Sequence, residues 1–152
     1  MRRPSRRLQN GLTTLHRVGL RLSGWRLGAT ISGLPVLLLT TQGRRSGRTR
    51  TVPLMYVEDG GYVVIGSNGG APSHPGWVRN LEARPEAEVE LRSGRVAVRA
   101  EEVTDAVERA RLWARITTAA PNYDVYALRT DRAIPLVRLR PVAGMPSRPG
   151  TK

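Results

Sequence analysis

The sequence predicts a mainly β (α+β) fold, in which about six antiparallel strands close a small barrel carrying inserted helices. Three observations predict it. Short aliphatic and β-branched runs recur along the chain, separated by turns rich in Gly and Ser. Two of them, 86–92 and 95–100, alternate apolar and charged residues around Ser93-Gly94, so one face is buried and the other wet. Helical spacing is confined to the amino terminus and to the intervals between strands. A chain of 152 residues suits one domain with a single core.

Residues 4–23 have the pattern of an amphipathic helix. Leu8, Leu12, Leu15 and Leu22 fall on one side, with Arg3, Arg7, Arg17 and Arg21 opposite. Pro4 suits a first turn and Gly24 a stop. The leucines pack on the domain, or the helix lies on an anionic membrane surface; the pattern serves both. Residues 1–27 therefore form an N-terminal basic segment and 28–142 the barrel.

Within the barrel, PVLLLTT (35–41) and TVPLMYV (51–57) are the first two strands. GYVVIGS (61–67) follows the turn-forming Asp59-Gly60-Gly61. A short helix at 75–83 carries Trp77 and Leu81 at i and i+4. A longer one at 104–119 takes Thr104 as N-cap and Ala106, Ala110, Trp113 and Ile116 as its apolar stripe. Another begins near Pro121, and IPLVRLRPV (134–142) is the last strand. The tail from 143 to 152, rich in Pro, Gly and Ser, has the composition of a disordered segment.

Net charge is +13, nearly all of it arginine, with Lys152 the only lysine. An acidic ligand, an anionic membrane or nucleic acid would answer that charge. The absence of cysteine excludes disulfides, thiol nucleophiles and thiolate metal sites. His16 and His74 stand far apart without ligand spacing, so no metal site is expected. The longest apolar run, Leu34–Leu39, falls far short of the roughly 18 residues of a membrane span. No signal peptide is recognisable, and a cytoplasmic protein, peripheral to the membrane if the first helix binds there, is expected.

The most informative stretch is Gly43-Arg44-Arg45-Ser46-Gly47-Arg48-Thr49-Arg50, running into Thr51-Val52-Pro53-Leu54. A Gly/Ser turn exposes backbone N–H groups, and arginine adds flat bidentate donors for phosphate or carboxylate oxygens. It is no Walker loop, because no Lys-Ser/Thr follows at the required spacing. The alternatives are a solvated basic loop and a nucleic-acid contact. The chain has no phenylalanine, and its aromatics are not interleaved with the arginines, which argues against nucleic acid.

Two further segments stand in register with the arginine turn. One is Ser67-Asn68-Gly69-Gly70-Ala71, followed by Pro75-Gly76-Trp77 and Asn80-Leu81. The other is Pro121-Asn122-Tyr123-Asp124-Val125-Tyr126, followed by Thr130-Asp131-Arg132 and Ile134-Pro135. In this order and spacing, over roughly residues 37–141, the chain resembles the deazaflavin-dependent nitroreductase family, whose members use coenzyme F-420.

The resemblance implies a split β-barrel that binds reduced deazaflavin and passes hydride to an electron-poor acceptor: a quinone, an enone or a nitroaromatic. It places Arg45, Ser46, Gly47, Arg50 and Pro53 along the cofactor, with Ser67, Gly69, Gly70 and Ala71 wrapping it and Trp77 and Asn80 holding it from the short helix. Tyr123 and Tyr126 would face the substrate. On their own chemistry, Trp77 equally suits a core, Asn80 a loop-capping amide, and the tyrosine pair a helix-packing face. Asn68 stands where the family often has lysine, Gly76 replaces a bulkier residue, and Ala120 occupies a position of a further tyrosine in nitroimidazole-reducing members; these bear on substrate choice. The competing readings are an FMN enzyme on the same barrel and a non-catalytic basic module for RNA or anionic lipid. A homodimer is compatible by analogy alone.

Overall fold

The computed structural model describes residues 30–31 and 33–142; the N-terminal helix and the tail expected from sequence lie outside the described residues. The strands are β1 (Thr30–Ile31), β2 (Leu34–Gln42), β3 (Thr49–Glu58), β4 (Tyr62–Ile65), β5 (Glu86–Leu91), β6 (Gly94–Glu102) and β7 (Leu136–Pro141). The helices are α1 (Gly76–Ala83), α2 (Ala106–Ala119) and α3 (Asn122–Leu128), with a single 3-10 turn at Asn68–Gly70. Sheet order is β1-β2-β3-β4-β7-β6-β5, and β2 also pairs with β5. That last pairing closes six antiparallel strands into a barrel, as the sequence predicts.

The period-two alternation of the strands sorts side chains into two apolar layers. Leu37, Leu39, Val64, Val89, Val98, Val137 and Leu139 fill the barrel interior together with Trp77, Val78 and Leu81, so α1 acts as its stopper. The opposite faces of β3 and β4 present Val57, Val63 and Ile65 outward, where Leu112, Ile116, Ala120 and Tyr123 cover them. Each buried aliphatic side chain in these layers contributes about 1.5–3 kcal/mol of transfer free energy.

Two details of α2 differ from the sequence expectation. Its N-cap is Asp105, whose Oδ2 accepts the Glu108 N–H at 2.9 Å, and not Thr104. The preceding chain is still held to the sheet at Val103, whose N–H donates to the Leu136 carbonyl. The buried stripe is Leu112 and Ile116, while Ala106 and Ala110 are exposed. The larger side chains won the contact with the barrel, turning the alanines outward.

β3 shapes the site. β4 pairs only with Tyr56–Glu58, so among the described residues Thr49–Met55 has β2 on one side and no strand on the other. A proline inside a strand is tolerated at such an open edge, which accounts for Pro53. The far end of the hairpin is tied down by Asp59, which bonds Arg111 at 2.7 Å and Arg138 at 3.0 Å.

Candidate active site

The arginine turn folds on its own hydrogen bonds. The Gly43 N–H donates to the Arg48 carbonyl (2.7 Å), the Gly47 N–H to the Gly43 carbonyl (2.8 Å), and the Arg48 N–H to Ser46 Oγ (3.2 Å). Gly47 takes φ +71°, a left-handed value that favours glycine. Arg44, Arg45, Arg48 and Arg50 are all exposed, and none has a carboxylate in ion-pair range among the described residues. Four guanidinium groups without an internal anion leave this hairpin strongly cationic.

Asn80 anchors this turn to α1. Its Oδ1 accepts both the backbone N–H and Nη1 of Arg44, each at 3.2 Å, and its Nδ2 donates to Thr41 Oγ1 at 3.0 Å. The amide is buried and used on both ends, so Asn80 positions the turn. Trp77 lies in the barrel interior and is 6 % exposed, which leaves it little surface for a ligand. Gly76, beside it, has no atom within 4 Å of where a side chain would begin.

Ser67–Ala71 leaves β4 toward the open edge of β3. Asn68, Gly69 and Gly70 all adopt positive φ. Gly70 has a steric reason: a Cβ there would come within 2.7 Å of the Tyr126 carbonyl oxygen and 2.9 Å of Arg129 Cβ. The loop and α3 are therefore in contact through a glycine. Gly69, with nothing within 4 Å, faces open space.

Arg132 was not singled out as a site residue in the sequence. Its Nε donates to the Ala71 carbonyl (2.9 Å), Nη1 to the Gly66 carbonyl (3.2 Å) and Nη2 to the Ser67 carbonyl (2.8 Å). Nη1 also reaches His74 Nδ1 at 2.8 Å. Arginine only donates, so Nδ1 is the acceptor in this contact. The sequence signal was its place in Thr130-Asp131-Arg132, a segment of the resemblance to which no site role was attached.

Tyr123 and Tyr126 meet edge to face, with centroids 5.8 Å apart and planes at 86°. Tyr123 is 4 % exposed in the outer apolar layer, and burial pushes its hydroxyl up to about 12. Tyr126 is half-buried, with the Arg129 guanidinium 5.8 Å from its ring centroid. The two tyrosines thus divide into one that packs and one that reaches the surface. Met55, half-buried on the Pro53 face of β3, joins the same apolar layer as Tyr126 and was not anticipated. Ala120 is fully buried and supplies no site surface. No cluster of potential metal ligands occurs among the described residues, and no described helix is long and apolar enough to cross a membrane.

Comparison with known proteins gives the same outline. Residues 14–141 match the family model of the F-420H(2)-dependent quinone reductases. An F-420H(2)-dependent quinone reductase of Mycobacterium tuberculosis is 39% identical over 132 residues, covering 84% of this chain and 89% of its own. The solved structure of an F-420-H2 dependent reductase, FDR-A, aligns with TM-score 0.63 and 38% identity over 70% of this chain and 94% of that one. A solved domain-swapped dimer aligns with TM-score 0.64 and 33% identity over 86% of this chain and 99% of that one. With a family model spanning most of its length and relatives of this similarity, the chain belongs to the F-420H(2)-dependent quinone reductase family.

Proposed function

We propose that this protein is an oxidoreductase that binds reduced coenzyme F-420 and passes hydride to a quinone-type small-molecule acceptor. The observation that carries this reading is the arginine turn: four exposed guanidinium groups without an internal anion, held by buried Asn80 beside open space at Gly76. Such a donor set fits a cofactor that bears a phosphate and a polyglutamate tail.

Arg45, Ser46, Gly47 and Arg50 would hold the anionic end, and Asn80 keeps their turn in place. Ser67, Gly69, Gly70 and Ala71 would line the ring from the loop, with Pro53 beneath on the open edge of β3. Trp77, buried in the barrel interior, serves as core beneath α1. Tyr126 would orient the acceptor, and Tyr123 backs it while staying protonated. The deazaflavin supplies the hydride; the protein contributes position, charge and exclusion of water.

Titration of the purified protein with F-420 and, in parallel, with FMN tests the assignment. Saturable micromolar F-420 binding with weak FMN binding is expected. FMN binding alone would keep the barrel and change the chemistry, and binding of neither would end the enzyme reading. Membrane association through the basic N-terminal segment is a separate proposal, resting on its leucine and arginine faces. Cosedimentation with anionic vesicles, set against neutral ones, tests it; equal recovery from both would remove it. Self-association is read in the same preparations by sedimentation, with a homodimer as the proposed state.

A further inference from the structure

We propose that Arg132 is a positioning residue that clamps the Gly66–His74 loop in its cofactor-binding shape. This deepens the functional reading above and rests on it. One guanidinium gathers three carbonyls, of Gly66, Ser67 and Ala71, and the His74 ring. These groups span nine residues of a loop whose other internal bonds are few. Gly70 N–H donates to the Ser67 carbonyl, Ala71 N–H to the Asn68 carbonyl, and Asn68 Nδ2 to the Ser73 carbonyl.

A loop with three successive positive-φ residues does not hold that path by its own preference. Each carbonyl turned toward Arg132 leaves its own peptide plane oriented, and that fixes where the neighbouring N–H groups point. Charge-assisted bonds to one planar group are the means of holding several peptide planes together. Because Arg132 lies just after α3, and α3 presses on Gly70 through the Tyr126 carbonyl, the clamp also joins the cofactor loop to the helix bearing Tyr126.

The test compares wild type, Arg132→Met and Arg132→Lys, using amide hydrogen exchange without cofactor and F-420 titration. In Arg132→Met, exchange at Gly70 and Ala71 should rise about tenfold or more, while Val103, bonded to Leu136, keeps its protection. F-420 affinity should fall about tenfold, through loss of loop order and not of a direct cofactor bond. In turnover with menadione, the loss should fall on KM for the reduced cofactor more than on kcat. Arg132→Lys, which reaches fewer carbonyls, should lie between.

Unchanged loop exchange would overturn the clamp, and raised exchange with unchanged F-420 affinity would overturn its cofactor role. If Arg132→Met loosens Val103 as well, Arg132→Lys is judged by the same two criteria. Wild-type protein that fails to bind F-420 refutes the functional reading itself, before any substitution is made.

Discussion

The side chain of Asn80 receives two hydrogen bonds from Arg44, one from its backbone and one from its guanidinium, both at 3.2 Å. A helix that plugs the barrel thereby sets the position of an exposed cationic turn. The carboxamide is suited to this because its other end donates to buried Thr41.

Asn80→Leu leaves the Arg44 N–H and the Thr41 hydroxyl without their partner, and should cost about 1–3 kcal/mol of stability. F-420 affinity should fall with it. Asn80→Asp keeps the acceptor for Arg44 and should retain most of the stability, while its carboxylate pairs Arg44 and weakens binding of the anionic cofactor. Thermal melts and F-420 titration of the two variants separate these effects. Equal affinity in Asn80→Leu and wild type would show that the turn needs no anchor.

Arg45 and Arg50 are exposed and unpaired among the described residues, so their loss should leave melting nearly unchanged, within about 0.5 kcal/mol. The Arg45→Ala/Arg50→Ala double variant should bind F-420 more weakly by a few kcal/mol at most. Its binding should also depend less on salt. Unchanged affinity would remove the turn as the anion site.

Gly69 and Gly70 make a paired contrast. Both have positive φ, yet only Gly70 is crowded by α3. Gly69→Ala should cost about 1 kcal/mol for the backbone alone. Gly70→Ala must also push Tyr126 and Arg129 away, and should cost about 2–4 kcal/mol. Denaturant unfolding of the two variants checks the order, and equal costs would contradict the close approach.

The pH dependence follows from two groups. Burial raises the Tyr123 hydroxyl from 10.0 to about 12. Unfolded chains release this proton first, so stability present below pH 10 should be lost as pH rises toward 12, by a few kcal/mol at most. Tyr56 and Tyr62 shift the same way through burial and Glu58, so Tyr123→Phe should flatten the alkaline limb without abolishing it. The Arg111 hydrogen bond is the main cause that lowers Asp59; burial opposes it, and the Arg111 charge and the Arg138 hydrogen bond add to the lowering. The Asp59 contribution is present above the ordinary carboxylate value and is lost as pH falls below that value and through the lowered one of the folded state. Asp59→Asn should therefore blunt the acid limb, measured by melting from pH 7 down to pH 3.

The six barrel strands were legible from local evidence, such as period-two alternation at 86–92 and 95–100 and Gly turns at 59–61 and 93–94, whereas the two-residue β1 carries no such pattern. The arginine turn was legible for the same local reason. Trp113 and Ile116 of the expected α2 stripe pack on the core, but Leu112 takes the place expected of Ala106 and Ala110, because alanine and leucine compete for one helical face and only the shape of the opposing barrel decides between them. Trp77 and Tyr123 look alike in sequence as candidates for ligand contact. Their burial depends on which strands and helices close over them.

By itself the sequence determined the six barrel strands, the helices between residues 75 and 128, the cationic turn and the absence of thiol chemistry, since these follow from residue type and short-range spacing. Tertiary structure alone decided the open edge of β3, the anchoring of Arg44 by Asn80 and the gathering of the 66–74 loop by Arg132. Each depends on groups separated by tens of residues, such as Asn80 with Arg44 and Arg132 with Ser67. No local preference specifies such pairings; barrel closure brings the partners together, and the requirement that buried polar groups be bonded selects among them.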